Sequence, residues 1–105
     1  MYAIVDIETT GGYAASHGIT EIAIYIHDES KVVEQYTTLI NPQQSIPLHI
    51  TALTGISNAM VAAAPCFEEV AERIYELLND KIFIAHSVNF DFSFVKHQLK
   101  HAGYE

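Results

Sequence analysis

Cysteine, basic side chains and long apolar runs are all scarce in this sequence. One cysteine, Cys66, among 105 residues excludes an internal disulfide framework and a cysteine-based zinc cluster. No apolar run approaches the roughly 18 residues that a membrane-spanning helix needs, and nothing at the N-terminus has the form of a signal peptide. We therefore expect no membrane association and a reducing, cytoplasmic setting.

Charge is also sparse, and it is mostly of one sign. Only 17% of the residues are charged, against about 25% in ordinary domains, while 50% are hydrophobic, so the chain is expected to form a folded core. Thirteen acidic residues against five Lys and Arg give a net charge of −8, which argues against generic duplex binding. Carboxylates that hold divalent cations can nevertheless handle phosphate. Two classes stay open: a protein-interaction domain, or a metal-dependent enzyme with a small acidic site.

The hydrophobic pattern predicts one mixed α/β domain over residues 1–105. Alternating or β-branched runs indicate strands, and apolar residues three and four apart indicate amphipathic helices. The predicted elements are strands at 2–7, 19–27, 31–40 and 82–85, short helices opening at Pro47 and Ser57, and longer helices from Phe67 to Leu78 and from Phe90 to Gly103. The second and third strands are expected to form a hairpin.

Two carboxylates stand out on the first strand. Asp6 and Glu8 are two residues apart, so both side chains are expected on one face, at the end where open α/β sheets bind ligands. Adjacent like charges favour a cation between them, and Mg²⁺ or Mn²⁺ suits oxygen ligands. The alternative interpretation is a strand end with two solvated acids.

Asp91 is a third candidate because it opens the last predicted helix. A carboxylate there is favoured by the helix dipole alone, which is one interpretation. The functional interpretation is that the preceding strand lies parallel beside the first strand, so that Asp91 meets Asp6 and Glu8.

Several segments together resemble the DnaQ-like, DEDD-type 3′–5′ exonucleases, a family that includes the proofreading epsilon subunit of bacterial DNA polymerase III. Val5-Asp6-Ile7-Glu8-Thr9-Thr10-Gly11 looks like the first exonuclease motif. Leu53-Thr54-Gly55-Ile56 and Ala64-Pro65-Cys66-Phe67 resemble the segments that follow the hairpin, and Ala85-His86-Ser87 with Asn89-Phe90-Asp91 resembles the second motif. The motifs occur in the family's order over nearly the whole chain.

The resemblance implies a ribonuclease H-like mixed sheet, three antiparallel strands followed by a parallel one, with helices. It also implies hydrolysis of the terminal phosphodiester at a single-stranded 3′ end of DNA or RNA by two Mg²⁺ or Mn²⁺ ions. Asp6 would bridge the ions, Glu8 would bind one, and Asp91 would support the other. The resemblance further implies substrate binding at Thr9, Thr10, Gly11, Thr54 and Phe90.

Two departures from the family pattern matter. Ser87 stands where the second motif commonly has Asn, and no third motif with its general-base His and fourth carboxylate follows Asp91. His97 and His101 are four apart with no following Asp. We therefore expect a chain that stops before the family's last strand and helix, and that is nearly inactive alone.

Other hypotheses stay open beside the nuclease. The alternative function is a non-catalytic, exonuclease-like protein-interaction module, which the acidic surface and missing motif favour. A DNA polymerase is a further candidate partner. A sheet that lacks a strand is expected to expose an edge and an apolar patch, so a homodimer through that edge is also predicted.

Overall fold

The sequence folds into a four-stranded mixed sheet. In the computed structural model, which describes residues 1–104, the strands are β1 (Tyr2–Thr9), β2 (Ile19–His27), β3 (Val32–Leu39) and β4 (Ile82–Ile84). Their order in the sheet is β3-β2-β1-β4. β2 pairs antiparallel with both β1 and β3, whereas β4 pairs parallel with β1. The predicted combination of three antiparallel strands and one parallel strand is confirmed.

Four helices connect and cover the strands. They are α1 (Leu48–Thr54), α2 (Asn58–Val61), α3 (Phe67–Leu78) and α4 (Val88–His101). The predicted helix caps are present. The Ser57 hydroxyl accepts a hydrogen bond from the Met60 amide at 3.2 Å, and Gly55 ends α1 with φ of 80°. α4 begins at Val88, two residues before the predicted Phe90; Val88 is 46% exposed, so it adds no buried side chain to the apolar face of the helix.

Strand alternation divides the sheet into two faces. The helix-covered face packs against α3 and α4, and its strand side chains are all 6% exposed or less: Ala3, Val5, Ile7, Ile22, Ile24 and Ile26. Burying a large aliphatic side chain contributes about 1.5–3 kcal/mol relative to leaving it exposed. This face therefore supplies most of the fold's stability.

The opposite face of the sheet, the open face, is much more accessible. It carries Asp6 and Glu8, together with apolar side chains that are 36–59% exposed: Ile4 38%, Tyr25 36%, Ile82 59% and Ile84 40%. β4 is an edge strand of three residues. The predicted exposed edge and apolar patch are thus present in the structure.

A second, smaller apolar cluster holds the connection between β3 and α3. Ile46, Ile56 and Val61 are buried there. The Asn58 side-chain oxygen accepts the Ile46 amide at 2.8 Å and ties the start of α2 to the segment before α1. Over residues 1–104, none of the helices has the length and apolar character needed to span a bilayer.

Candidate active site

The first two predicted carboxylates lie where the sequence places them. Asp6 and Glu8 occupy the C-terminal half of β1, and the alternating burial of Val5 and Ile7 puts both carboxylates on the open face. On the neighbouring strand, Asp6 lies opposite Ala23 and Glu8 lies opposite Glu21. A small neighbour beside Asp6 leaves room around that carboxylate, whereas Glu21 adds a further negative charge beside Glu8.

A β-bulge follows directly after Glu8. Glu8 pairs with Glu21 but Thr9 pairs with Ile19, so Thr20 is the extra residue on β2. Bulges concentrate beside active sites because they redirect the strand that carries them. Thr20 is 1% exposed and its hydroxyl has no hydrogen-bond partner among the described residues. The sequence pattern gives no sign of this irregularity.

Asp91 lies at the same end of the sheet as Asp6 and Glu8, and it follows β4, the neighbour of β1 on the side opposite β2. β4 runs parallel to β1, as predicted, and α4 begins four residues after β4 ends. Asp91 lies in the first turn of α4, where its amide donates to the Ser87 carbonyl at 3.0 Å. Its side chain is only 7% exposed. Buried carboxylates are rare without a partner, so this position needs a stronger reason than a favourable helix dipole.

The three carboxylates interact electrostatically. Desolvation, followed by the charges of Asp6, Glu21 and Asp91, raises the pKa of Glu8 above its usual value. Desolvation, followed by the charge of Asp6, also raises the pKa of Asp91. The nearby backbone of Ile7 acts in the opposite direction on the Asp91 pKa and locates that carboxyl beside β1. Asp6, Glu8 and Asp91 therefore form one acidic edge.

The acidic edge is not arranged as a finished metal site. Among residues 1–104, no three His, Cys, Asp or Glu side chains converge closely enough to hold a metal ion. The donor set itself, three carboxylates that interact electrostatically at the end of two parallel strands, has the hard oxygen chemistry that Mg²⁺ and Mn²⁺ prefer. Asp6, Glu8 and Asp91 therefore fit an ion of this class by their chemistry.

The predicted substrate-binding loop after β1 has mainly internal contacts. The Thr9 hydroxyl donates to the Gly11 carbonyl at 2.7 Å. Thr10 is buried, where its hydroxyl donates to the Gln44 side chain and accepts the Gly18 amide. A Cβ on Gly11 would lie 2.5 Å from the His17 ring, so a larger residue there would have to displace that ring. The Thr9 and Thr10 hydroxyls are thus engaged within the loop, and over residues 9–11 the backbone is left to approach a nucleotide.

Thr54 and Phe90 differ in how available they are. The Thr54 hydroxyl donates to the Ile50 carbonyl at 3.0 Å and accepts the Ile56 amide at 3.1 Å, so it closes the end of α1. Phe90 is 38% exposed, lies next to Asp91 in sequence, and its ring centroid is 4.8 Å from that of Phe94. Phe90 therefore has a free surface beside the acidic edge, whereas the Thr54 side chain is engaged in the fold.

Two features of this region were absent from the sequence prediction. Leu53, next to Thr54, is 81% exposed, and Leu48 on the same helix is 87% exposed. The charge of His86 lowers the pKa of Asp91, against the larger effects of desolvation and Asp6, so this imidazole lies near the acidic edge. In the sequence, His86 was indicated by its place in the Ala85-His86-Ser87 segment that resembles the second motif.

Comparison with known proteins establishes the class. Residues 3–105 match the family model described as exonuclease (RNase_T). The chain belongs to this exonuclease family, and the predicted resemblance to DnaQ-like exonucleases is confirmed.

Individual relatives agree with that assignment. The chain is 40% identical over 105 residues to the 3′-5′ exonuclease DinG of Bacillus subtilis (strain 168), an alignment that covers 99% of this chain and 11% of that protein. It is also 40% identical over 99 residues to the 3′-5′ exonuclease DinG of Staphylococcus aureus (strain MRSA252), covering 94% of this chain and 11% of the relative. The chain thus spans about a tenth of the length of these curated relatives.

Solved structures show the same fold. Exonuclease X, solved in complex with 5′ overhanging duplex DNA, superposes with a TM-score of 0.77 at 32% identity, covering 90% of this chain and 54% of that one. Apo Exonuclease I superposes with a TM-score of 0.86 at 20% identity, covering 99% of this chain and 25% of that one. The mixed sheet with its helices is therefore the exonuclease fold.

Proposed function

We propose that this chain carries metal-binding residues of a 3′–5′ exonuclease, which hydrolyses the terminal phosphodiester of single-stranded DNA or RNA. The observation that carries the proposal is the placement of Asp91, which is buried beside β1 with its pKa raised partly by Asp6. Two neighbouring parallel strands thus bring carboxylates distant in sequence to one edge. The exonuclease relatives provide the chemistry to which such an edge is suited.

The proposed roles of the three carboxylates are those that the family resemblance implies. Asp6 would bridge two Mg²⁺ or Mn²⁺ ions, Glu8 would bind one, and Asp91 would support the other. When bound, the ions supply water activation and stabilisation of charge on the phosphate. Because the pKa values of Glu8 and Asp91 are raised, metal binding is expected to promote their ionisation.

Exposed apolar side chains in the segments that resemble the family motifs supply a proposed surface for unpaired bases. Phe90, which belongs to the segment that resembles the second motif, is proposed for this role. Leu53 and Tyr13, which are 81% and 74% exposed, are further candidates. Base stacking on aromatic faces contributes roughly 1–3 kcal/mol per base and tolerates any sequence, as a nuclease needs. In the loop after β1, we propose that backbone groups of Thr9 and Gly11 approach the terminal nucleotide.

The direct test of the metal site is calorimetric titration of this chain with Mn²⁺. We expect saturable binding that Asp6→Asn removes, with Glu76→Gln, an exposed change of the same type on α3, as the matched control. Binding that is unchanged in Asp6→Asn would overturn the assignment of the site.

The catalytic part of the proposal needs a protein that contains this segment together with a later His and Asp in the third-motif pattern. We expect this chain alone to be nearly inactive, because a missing general base typically costs 10²–10⁴-fold in rate. In the longer protein, Asp6→Ala is expected to abolish removal of 3′-terminal nucleotides. Full activity in that variant would contradict the proposal, and parallel DNA and RNA oligonucleotides would identify the substrate.

A non-catalytic protein-interaction module is the second candidate function. The acidic composition, thirteen Asp and Glu against five Lys and Arg, favours it. It predicts no Mn²⁺ binding by either this chain or a longer one. Mn²⁺ binding that appears only in the longer chain would instead support the nuclease.

Partners beyond nucleic acid form a separate part of the proposal. The exposed β4 edge, with Ile82 and Ile84, supports a homodimer. A clean monomer by light scattering at high concentration would refute it. By resemblance to the epsilon subunit, we also propose association with a DNA polymerase in a cytoplasmic setting, for which co-purification is the test.

A further inference from the structure

The loop between β1 and β2 is closed at its base by a buried threonine. Thr10 is 1% exposed, its amide donates to the Gly18 carbonyl at 2.9 Å, and its hydroxyl accepts the Gly18 amide at 3.1 Å. Thr10 comes two residues after Glu8, in the segment that resembles the first motif. The contacts of the Thr10 side chain therefore fix the backbone that follows directly after Glu8.

Gln44, from the connection between β3 and α1, completes the hydrogen bonds of Thr10. The Thr10 hydroxyl donates to the side-chain oxygen of Gln44, and the side-chain nitrogen of Gln44 donates to the Ser16 carbonyl at 3.4 Å. One amide group thus contacts the loop near both of its ends. Because Thr10 is almost closed to solvent, water has little access to replace Gln44, and a buried hydroxyl without an acceptor is destabilising.

The backbone on either side of Gln44 is itself held by side-chain contacts. Gln43 has φ of 57°, a left-handed conformation that is uncommon outside glycine, and its amide donates to the Asn41 side-chain oxygen at 2.8 Å. Ile46 is buried, and its amide donates to the side chain of Asn58 at the start of α2. Backbone conformations of this kind persist where the surrounding structure holds them. The connection therefore presents Gln44 to the loop at a defined position.

We propose that Gln44 is a positioning residue of the nuclease, which acts through the Thr10 hydroxyl on the backbone of residues 9–11. That backbone is the part of the loop proposed to approach the terminal nucleotide, and its position relative to Asp6 and Glu8 sets where the scissile phosphodiester lies. The inference rests on the proposed nuclease function, and it adds a residue outside every segment that resembles the family motifs. A misplacement of about 1 Å can cost roughly 100-fold in rate, so the expected effect is on turnover.

The test is removal of 3′-terminal nucleotides from a single-stranded oligonucleotide by the longer protein, which contains this segment and a third motif, with Mn²⁺ present. Gln44→Met keeps the length of the side chain but removes both hydrogen bonds. We expect kcat to fall about tenfold while KM changes less than about twofold, because the rest of the strand keeps its contacts. Gln44→Glu keeps an oxygen acceptor for Thr10 and is expected to retain most of the activity. Gln35→Met, at an exposed glutamine of β3, is the matched control and should leave both constants unchanged.

A double variant shows whether Gln44 acts through Thr10. Thr10→Val removes the hydroxyl, and Thr10→Val/Gln44→Met is expected to have the same kcat as Thr10→Val alone, since residues in direct contact do not have additive effects. In the present chain, NMR should show faster hydrogen exchange at the Thr10 and Gly18 amides in Gln44→Met but not in Gln35→Met. Thermal melts place the assay temperature well below the melting temperature of every variant, so that global unfolding does not contribute.

Three outcomes would overturn this inference alone when the wild type is active. They are an unchanged kcat in Gln44→Met, a Gln44→Glu variant that is as slow as Gln44→Met, and losses in Thr10→Val and Gln44→Met that add in full. A wild type that removes no nucleotides would overturn the nuclease proposal, and this inference with it. The rate of the wild type therefore distinguishes the two failures.

Discussion

The two faces of the sheet are formed by the same strands but have different roles. On the helix-covered face, Val5, Ile7 and Ile24 are at most 6% exposed, and packing leaves no room for charge. On the open face, one residue away along β1, Asp6 and Glu8 carry charges and Ile4 remains 38% exposed. The comparison shows that one strand can supply stability from one face and chemistry from the other, because its side chains alternate.

The largest expected effect comes from the helix-covered face. Ile24→Ala removes a fully buried side chain and is expected to lower the free energy of unfolding by about 2–5 kcal/mol. Ile4→Ala, the matched change on the open face, should cost less than about 1 kcal/mol because that side chain loses less burial on truncation. Urea titrations of both variants measure the difference. Equal costs would show that the open face is covered in solution.

The next effect is stabilisation of the open face by metal. Mn²⁺ at 100 times its Kd should raise the free energy of unfolding by about 2.7 kcal/mol, since a ligand that binds only the folded state stabilises it. Asp6→Asn should remove this gain.

Without metal, the same variant should be more stable than the wild type by roughly 0.2–1 kcal/mol, because it relieves repulsion with Glu8 and Asp91. Melting curves with Mn²⁺ and with EDTA test both effects, and Glu76→Gln is the control.

A smaller effect is expected in the pH dependence of metal-free stability. The pKa values of Glu8 and Asp91 are raised in the folded state above their ordinary values of 4.5 and 3.8, with desolvation as the largest cause. The folded state therefore binds protons more readily than the unfolded chain, and these groups favour folding at low pH. Their contribution declines as pH rises from about the ordinary values through the raised ones.

The comparison that isolates this effect is wild type against Glu8→Gln, by urea titration across pH 4–7. The wild-type curve should lose more stability than the variant curve as pH rises. A variant that declines as steeply as the wild type would show that Glu8 does not titrate in this way.

The smallest effect is expected from the exposed ion pair at the margin of the helix-covered face. Arg73 pairs with Glu34, with side chains 47% and 45% exposed, and its guanidinium lies 5.9 Å from the centroid of the Tyr36 ring. Arg73→Gln should cost less than about 1 kcal/mol, as exposed pairs usually do. A cost that rivals Ile24→Ala would mean that charge, and not burial, holds α3 on the sheet.

Most of the fold could be predicted from local patterns. Alternation in residues 19–27 and the spacing of Phe67, Ala71, Ile74 and Leu78 each report a face that must be buried, and these elements form as predicted. Gly55 and Ser57 mark helix ends by their own chemistry. The bulge at Thr20 was not predicted, because the one-residue shift in strand register depends on how β1 and β2 pair.

The candidate site was predictable only in part. Asp6 and Glu8 share a face by strand geometry alone, and the family motif pointed to Asp91. Thr10 and Gly11, expected near substrate, also contact Gln44 and His17, and no local pattern could reveal those contacts.

The sequence by itself determined the strands, the helices and the pairing of Asp6 with Glu8 on one face, because the periods of two and 3.6 residues are local properties of the backbone. Only the tertiary structure decided that β4 lies parallel beside β1 and that Asp91 is buried next to that strand. Those proximities join residues far apart in the chain. They arise from packing of the apolar faces, which the pattern of one segment cannot encode.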